Sequence, residues 1–337
     1  MVPVSTAFNA RDILFAKALI PVRTCGSEPF RASFGGRREW ILLTFSLERG
    51  SMSTPVSRRE LLAGALALGV IRLIPSEGLA MQRTSGSLVA NARGGYLFLP
   101  GQPFFSLGAI AASGFEINRA IFRRPPLFPE GLAAVERHLR AAGRPLQALC
   151  GLELRNGRQA NMQEFMAFNT RYIETLRKAG MLVTDQMPLT RSNLVATGAE
   201  AEHRIHAFTY TVPASSAARQ TPTFVIAGIP EVRFLGPKSE IIAKDDVSFD
   251  GLRQKTAFVL ETIAGLLTTM GVGWGDVTGI QLYTVRDLHP LVESIVIPRI
   301  GDAAQRGIQW HYVLLPLEGG DVEIDVRSVR AELTIDG

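Results

Sequence analysis

The sequence predicts an α+β fold: two tandem copies of one module, each with two helices packed on one face of a mixed sheet. Three observations lead there. The chain overlays on itself at an offset of 128, matching Leu132, Val135 and Leu139 to Leu260, Ile263 and Leu267, and Gly151, Leu152 and Leu154 to Gly279, Ile280 and Leu282. In both copies the strand and helix patterns follow the order β-β-α-β-α-β-β, the last six of which make a βαβαββ module. Finally, 46% hydrophobic and 20% charged residues in a chain of 337 give a globular composition with room for two cores.

Each element has its own signal. An apolar strand, Tyr96 to Leu99 or Phe224 to Ala227, ends in a Pro and Gly turn, GQP from Gly101 or GIP from Gly228. The following helix carries apolar residues on one face, from Leu132 in the first copy and from Leu252 to Met270 in the second, and stops at Gly143 or Gly271, residues suited to a left-handed cap. A strand such as Ile280 to Val285 leads to a second helix, Met162 to Lys178 or Leu288 to Ala304. Two more strands close each copy: Asn193 to Ala196 with His203 to Val212, and Gln309 to Leu315 with Val322 to Glu332. PASSAARQTP, Pro213 to Pro222, reads as the linker. The resulting organisation is a first domain over 90–213, a linker over 214–222 and a second domain over 223–335.

The first 80 residues read differently. They carry 10 Lys and Arg against 6 Asp and Glu, whereas the remainder carries 26 against 25. The net charge of +5 therefore sits mostly in the leader, and the body lacks the clustered positive charge that tracking a nucleic acid requires. From Met52 the sequence runs S-R-R-E-L-L at Ser57 to Leu62, then a modestly apolar stretch to Ile74, then Gly78-Leu79-Ala80. That order resembles a twin-arginine export signal with cleavage after Ala80, and implies a periplasmic protein; if the signal does not function, the protein stays in the cytoplasm. Residues 1–51 read as an over-extended start. No apolar run is long enough for a membrane span, so no stable membrane anchor is expected. With only Cys25 and Cys150, a disulfide framework and a cysteine zinc site are excluded.

Three segments carry a family resemblance: EFMAFNTRY (Glu164 to Tyr172), TRSNLV (Thr190 to Val195) and EGGDVEIDV (Glu318 to Val326). They are similar to the F-x-x-(V/F)-N-x-x-Y helix, the A-R-S-x-V strand and the acidic last strand of the reactive-intermediate deaminases, the Rid or YjgF-type family. The resemblance runs twice, from about Gly94 to Leu333. It implies chorismate-mutase-like domains assembled as a trimer, with clefts between neighbouring domains that hold small carboxylates. It also implies hydrolysis of enamines and imines to ketones and ammonia, without metal or organic cofactor. An arginine grips the substrate carboxylate, a glutamate holds or activates water, and main-chain groups beside a turn glycine and a helix asparagine complete the site.

Carried over position by position, the first copy keeps Asn169, Arg191 and Gly101, but Arg204 stands where the glutamate belongs. The second keeps Glu323 and Gly228, but Gln309 and Trp310 occupy the arginine position, with Arg306 the nearest cation. Asn193 replaces the family's cysteine. Neither copy is complete, so the expected site is composite: Arg191 and Asn169 from one side, Glu323 as the catalytic residue from the other, and Gly101 or Gly228 amides taking up developing charge. The alternatives are an exported binder of small acids and a chorismatase-like enzyme, also built from two such domains.

Simpler readings exist for each residue. Val322, Ile324 and Val326 alternate with Glu323, Asp325 and Arg327, which also describes a strand with a solvent-facing polar row. Arg191 also reads as half of a surface ion pair, and Asn169 as an exposed helix residue. His203 and His206 lie three apart on a strand and face opposite ways, which argues against a shared metal. Cys150 lies in an apolar stretch that raises a thiol pKa, which argues against a nucleophile.

Overall fold

The computed structural model describes residues 87–196, 202–215, 221–235 and 238–336. The leader, with Arg58, Arg59 and the expected cleavage after Ala80, lies outside the described residues, as does the middle of the linker.

The first half begins with three short strands, β1 (Val89–Asn91), β2 (Tyr96–Leu99) and β3 (Gly108–Ala111), then β4 (Phe115–Phe122) and α1 (Phe128–Ala141). It continues through β5 (Leu149–Asn156), α2 (Met162–Lys178), β6 (Thr190–Ala196) and β7 (Arg204–Pro213). The second half contains β8 (Phe224–Pro230), a hairpin of β9 (Val232–Leu235) and β10 (Lys238–Ile241), α3 (Phe249–Thr269) and β11 (Gly279–Tyr283). An irregular helical stretch follows, in which α-helical turns flank a π-helical Val292–Val296, and then β12 (Gln309–His311), β13 (Val313–Leu314), β14 (Glu323–Ser328) and β15 (Glu332–Ile335).

Local chemistry accounts for the helix ends. α2 starts at a capping box, in which the Asn161 side chain accepts from the Glu164 amide and the Glu164 carboxylate accepts from the Asn161 amide. α1 and α3 stop before Gly143 and Gly271, whose φ values of 67° and 75° are open to glycine at little cost.

The strands form a mixed seven-stranded sheet, β1-β2-β3-β8-β14-β11-β12, and a mixed six-stranded sheet, β13-β6-β5-β7-β4-β15. Within them, β4-β7-β5-β6 and β8-β14-β11-β12 repeat one order, antiparallel twice and then parallel. The halves also lend strands to each other. β3 pairs with β8, so the chain's first three strands extend the second half's sheet. In return β13 pairs with β6, and β15 runs parallel to β4. Two strands expected to be continuous are consequently broken: Gln309 to Leu315 divides at Tyr312, and Val322 to Glu332 divides after Ser328, with the pieces in different sheets.

One face of each sheet is covered by helices. His138 of α1 stacks edge-on against Phe208 and Tyr210 of β7, and Val259, Ile263 and Leu267 of α3 share a core with Val322, Ile324 and Val326. The opposite faces meet each other. The expected solvent-facing row is not found: Glu323, Asp325 and Arg327 are all buried, because a second sheet lies over them. The Ser192 hydroxyl of β6 donates to Asp325 across this seam at 2.7 Å. Arg119 makes a two-point contact with Glu153, Nε to Oε1 at 2.6 Å and Nη2 to Oε2 at 2.8 Å. Burial alone would raise the Glu153 pKa, but Arg119, with Arg155 and Arg327 behind it, holds it well below the usual carboxylate range. Arg119→Ala leaves that carboxylate buried and unpaired. It is expected to destabilise the protein by about 3–5 kcal/mol at pH 7, measured by urea unfolding.

Candidate active site

A cavity of about 410 Å³ opens where β6 and α2 of the first half face the ends of β8 and β14 of the second. α2 presents Phe165, Asn169 and Ile173 to it, three residues at i, i+4 and i+8 on one helical face. The hairpin β9–β10 covers another side with Val232, Phe234, Ser239 and Ile241. Most of the wall is apolar, and Arg191 is its sole cation among the described residues.

Arg191 is 5% exposed and sits among aromatic rings, with its guanidinium carbon 4.8 Å from the Tyr172 ring centroid, 5.1 Å from Phe104 and 5.8 Å from Phe168. These faces favour a cation without consuming its N–H donors. Burial lowers the Arg191 pKa to about 10, against the pull of Tyr172 and Glu323, so the group is charged at neutral pH. Glu323 lies close enough to interact with Arg191 electrostatically, and the Asn193 backbone amide donates to its carboxylate. Burial drives the Glu323 pKa well above the usual carboxylate range. Asp325 and Glu231 push the same way, against Arg191 and the Asn193 amide. Burial thus favours the protonated form of Glu323.

Gly228 lies directly beneath that carboxyl group. A Cβ added there would overlap Glu323 Oε1, so glycine is required by the close approach of the acid. Of the eight buried side-chain polar atoms without a hydrogen-bond partner among the described residues, five belong to this region: both amide atoms of Asn169, Nη1 of Arg191, Oδ1 of Asn193 and the Tyr172 hydroxyl. Buried polar groups are ordinarily satisfied, so such a concentration marks a place built for a polar ligand.

Arg191, Asn169, Gly228 and Glu323 are thus brought together across the two halves. Gly101 is not among the residues that line the cavity. Its turn supplies Gln102, Phe104 and Phe105 to the wall, and a Cβ added at the exposed Gly101 would stand 2.8 Å from the Phe105 carbonyl and 3.0 Å from Leu107. Arg306 ends the helical stretch before β12 and does not line the cavity. Sequence reasoning missed the aromatic cage. Its signal was present in F-x-x-x-Y, Phe168 to Tyr172, one helical turn apart and flanking Asn169. Cys150 is fully buried and its thiol is pushed up to about 12 by desolvation, as its apolar setting suggests.

The sequence pattern of the 2-aminomuconate deaminase CnbZ family matches residues 88–333. The chain belongs to this deaminase family. Within it, a 2-amino-5-chloromuconate deaminase from Comamonas testosteroni is 38% identical over 245 residues, 72% of this chain and 96% of the relative. The matched span holds both halves and every residue of the cavity. Among solved structures, a chorismatase superposes with a TM-score of 0.42 at 14% identity, over 66% of this chain and 77% of the other. A cyanuric acid hydrolase gives 0.32 at 13% identity, over 64% and 68%.

Two outcomes test this deaminase site. Gly228→Ala is expected to abolish activity while leaving the fold intact, because the added methyl displaces the acid; activity and circular dichroism read the two effects. For Glu323, a folded-state pKa above the unfolded value means that the native protein binds the extra proton. Its stability is complete below the unfolded carboxylate pKa of about 4.3 and falls as pH rises toward the folded value. Glu323→Gln removes that loss, so its Tm is expected to exceed that of the natural protein at pH 8 and to match it at pH 4.

Proposed function

We propose that the chain hydrolyses small 2-amino-2-enoates, in which an amino group sits on a carbon–carbon double bond beside a carboxylate, to 2-oxo acids and ammonia. The reading is carried by the four unpartnered polar atoms, two of Asn169 and one each of Arg191 and Asn193, that line a single cavity together with Glu323. The relatives' names supply the substrate class: an aminomuconate is a six-carbon dienedioate with the amino group next to a carboxylate. A cavity of about 410 Å³ suits an acid of that size.

In this mechanism the Arg191 guanidinium binds the carboxylate adjacent to the amino group, and Asn169 orients it through its free amide. The protonated Glu323 then delivers its proton to the enamine carbon, giving a 2-iminium acid and a Glu323 carboxylate. That carboxylate accepts a proton from water as the water oxygen bonds to the iminium carbon. The hydroxyl proton of the resulting carbinolamine passes to nitrogen as the C–N bond breaks and the C=O bond forms, which releases ammonia and leaves the oxo acid with Glu323 protonated again. One water is consumed and no electrons change hands. A charged Glu323 would repel the substrate carboxylates, so the neutral acid serves binding as well as proton transfer.

Two wider expectations belong to the same reading. The recurring four-strand order and the matched motifs support a duplicated Rid-type architecture, assembled as a trimer of two-domain chains; the Arg58–Arg59 leader supports export. Light scattering and cell fractionation test them.

Ammonia release from freshly generated 2-aminomuconate, followed with glutamate dehydrogenase, tests the activity itself. Glu323→Gln is expected to lower kcat by about 10²–10⁴-fold, and Arg191→Met to raise KM by about 10–100-fold through loss of a charged hydrogen bond. A protein that binds the substrate and releases no ammonia is a binder, and the proposal is then wrong.

A further inference from the structure

We infer that Glu231 is a positioning residue for the candidate acid: its carboxylate anchors the segment entering β14 and places a second buried acidic group behind Glu323. The inference rests on the role given to Glu323 above and assigns the device that maintains it.

Glu231 follows β8 and is fully buried without lining the cavity. One carboxylate oxygen accepts the Asp321 amide in a short bond and the other accepts the Val322 amide at 3.0 Å. Its own amide donates to the Val322 carbonyl at 3.2 Å, and its carbonyl accepts the Ile242 amide at 2.9 Å. One residue therefore ties the end of β8, the base of the β9–β10 hairpin and the start of β14. Asp321 is tied in turn to the wholly buried Lys255 of α3 and to Nε of Arg286 at 2.7 Å. Gly320 and Glu323, on either side of the anchored pair, both line the cavity.

The charges around Glu323 come from every side: Asp325 on its own strand, Glu231 beyond β8, and Arg191 with the Asn193 amide on β6. Glu231 itself faces the amides of Asp321 and Val322, and Lys255. That lysine makes its ion pair with Asp321, so Glu231 has amides for partners rather than a cation. Burial pushes the Glu231 carboxyl up to about 7, which places its charge change in the working pH range.

The test is a titration of the Glu323 carboxyl by ¹³C NMR in protein labelled at the glutamate side-chain carboxyl, with the resonance assigned by its loss in Glu323→Gln. In Glu231→Gln the Glu323 midpoint is expected to fall by about one pH unit, and the alkaline limb of kcat/KM to fall with it. Glu231→Asp keeps the charge but withdraws it from the two amides. It is expected to hold the midpoint near its original value and to lower kcat by about tenfold with little change in KM. Should Glu231→Gln not fold, the natural protein still decides the matter, because the charge that Glu231 gains at its own midpoint shifts the Glu323 carboxyl resonance there, before Glu323 loses its proton. An unmoved midpoint in Glu231→Gln, or a Glu323 resonance that does not respond at the Glu231 midpoint, overturns the proposal. Failure of the natural protein to release ammonia defeats the deaminase mechanism instead and leaves the titration result standing.

Discussion

The constraint on which the rest of the structure depends is the seam between the two sheets, where charged side chains are buried against each other instead of facing water. β6 lies against β8, and the polar edge of β14 is closed over by the first half. Without that cover, Glu323 would be an ordinary solvated carboxylate and Arg191 an ordinary surface cation. With it, both lose their hydration and acquire properties that a small acid can use. The exchanged strands hold the seam shut: β1–β3 continue the second sheet, while β13 and β15 close the edges of the first. Separating the halves would unpair backbone groups on both sheets, so the interface is part of the hydrogen-bonded framework.

The two principal buried arginines show how the seam treats charge in two ways. Arg119 meets Glu153 through two parallel bonds, which neutralises both and leaves nothing for a ligand. Arg191 is held by ring faces. Aromatic quadrupoles offset part of the cost of desolvating it while occupying none of its donors, and Nη1 is left without a protein partner. In the proposed mechanism a substrate carboxylate gives Arg191 the partner that Arg119 already has in Glu153. The aromatic residues around the cavity are thus electrostatic as much as packing elements.

Local pattern was enough for much of the fold. The helix over Met162 to Lys178 is observed with those bounds, and both cap glycines adopt the left-handed conformation that their positions suggest. Pairing over long sequence separations was not legible. An apolar run such as Gln309 to Leu315 says that a strand forms, but not that Tyr312 divides it between two sheets. The alternation at Val322 to Arg327 separates two faces without saying what covers each, so solvent and a second sheet give the same pattern. Gly101 and Gly228 read alike as turn glycines. Only the three-dimensional neighbours distinguish them, a carbonyl and a leucine for one and the catalytic candidate for the other. Arg191, Asn169 and Glu323 came from motif positions, whereas Glu231 has no motif around it, because its role is to bond two amides 90 residues away.

The unequal halves explain why the motifs are incomplete in each. At the position matching Glu323, Arg204 is tied into the first half, donating from Nη1 to the Pro125 carbonyl at 3.0 Å and bridging β7 to Leu127. At the position matching Arg191, Trp310 stacks on His289 with centroids 4.6 Å apart. Both positions serve packing in this structure. The cation and amide lie in one half and the acid and its glycine in the other, so each half is free to lose what its neighbour supplies. In the proposed mechanism activity belongs to the junction rather than to either half, and a change that widens the junction slightly would remove chemistry before it removes the fold. The buried carboxylates gathered there fit this arrangement, because proton affinity depends steeply on the distance between charges in a medium that water does not reach.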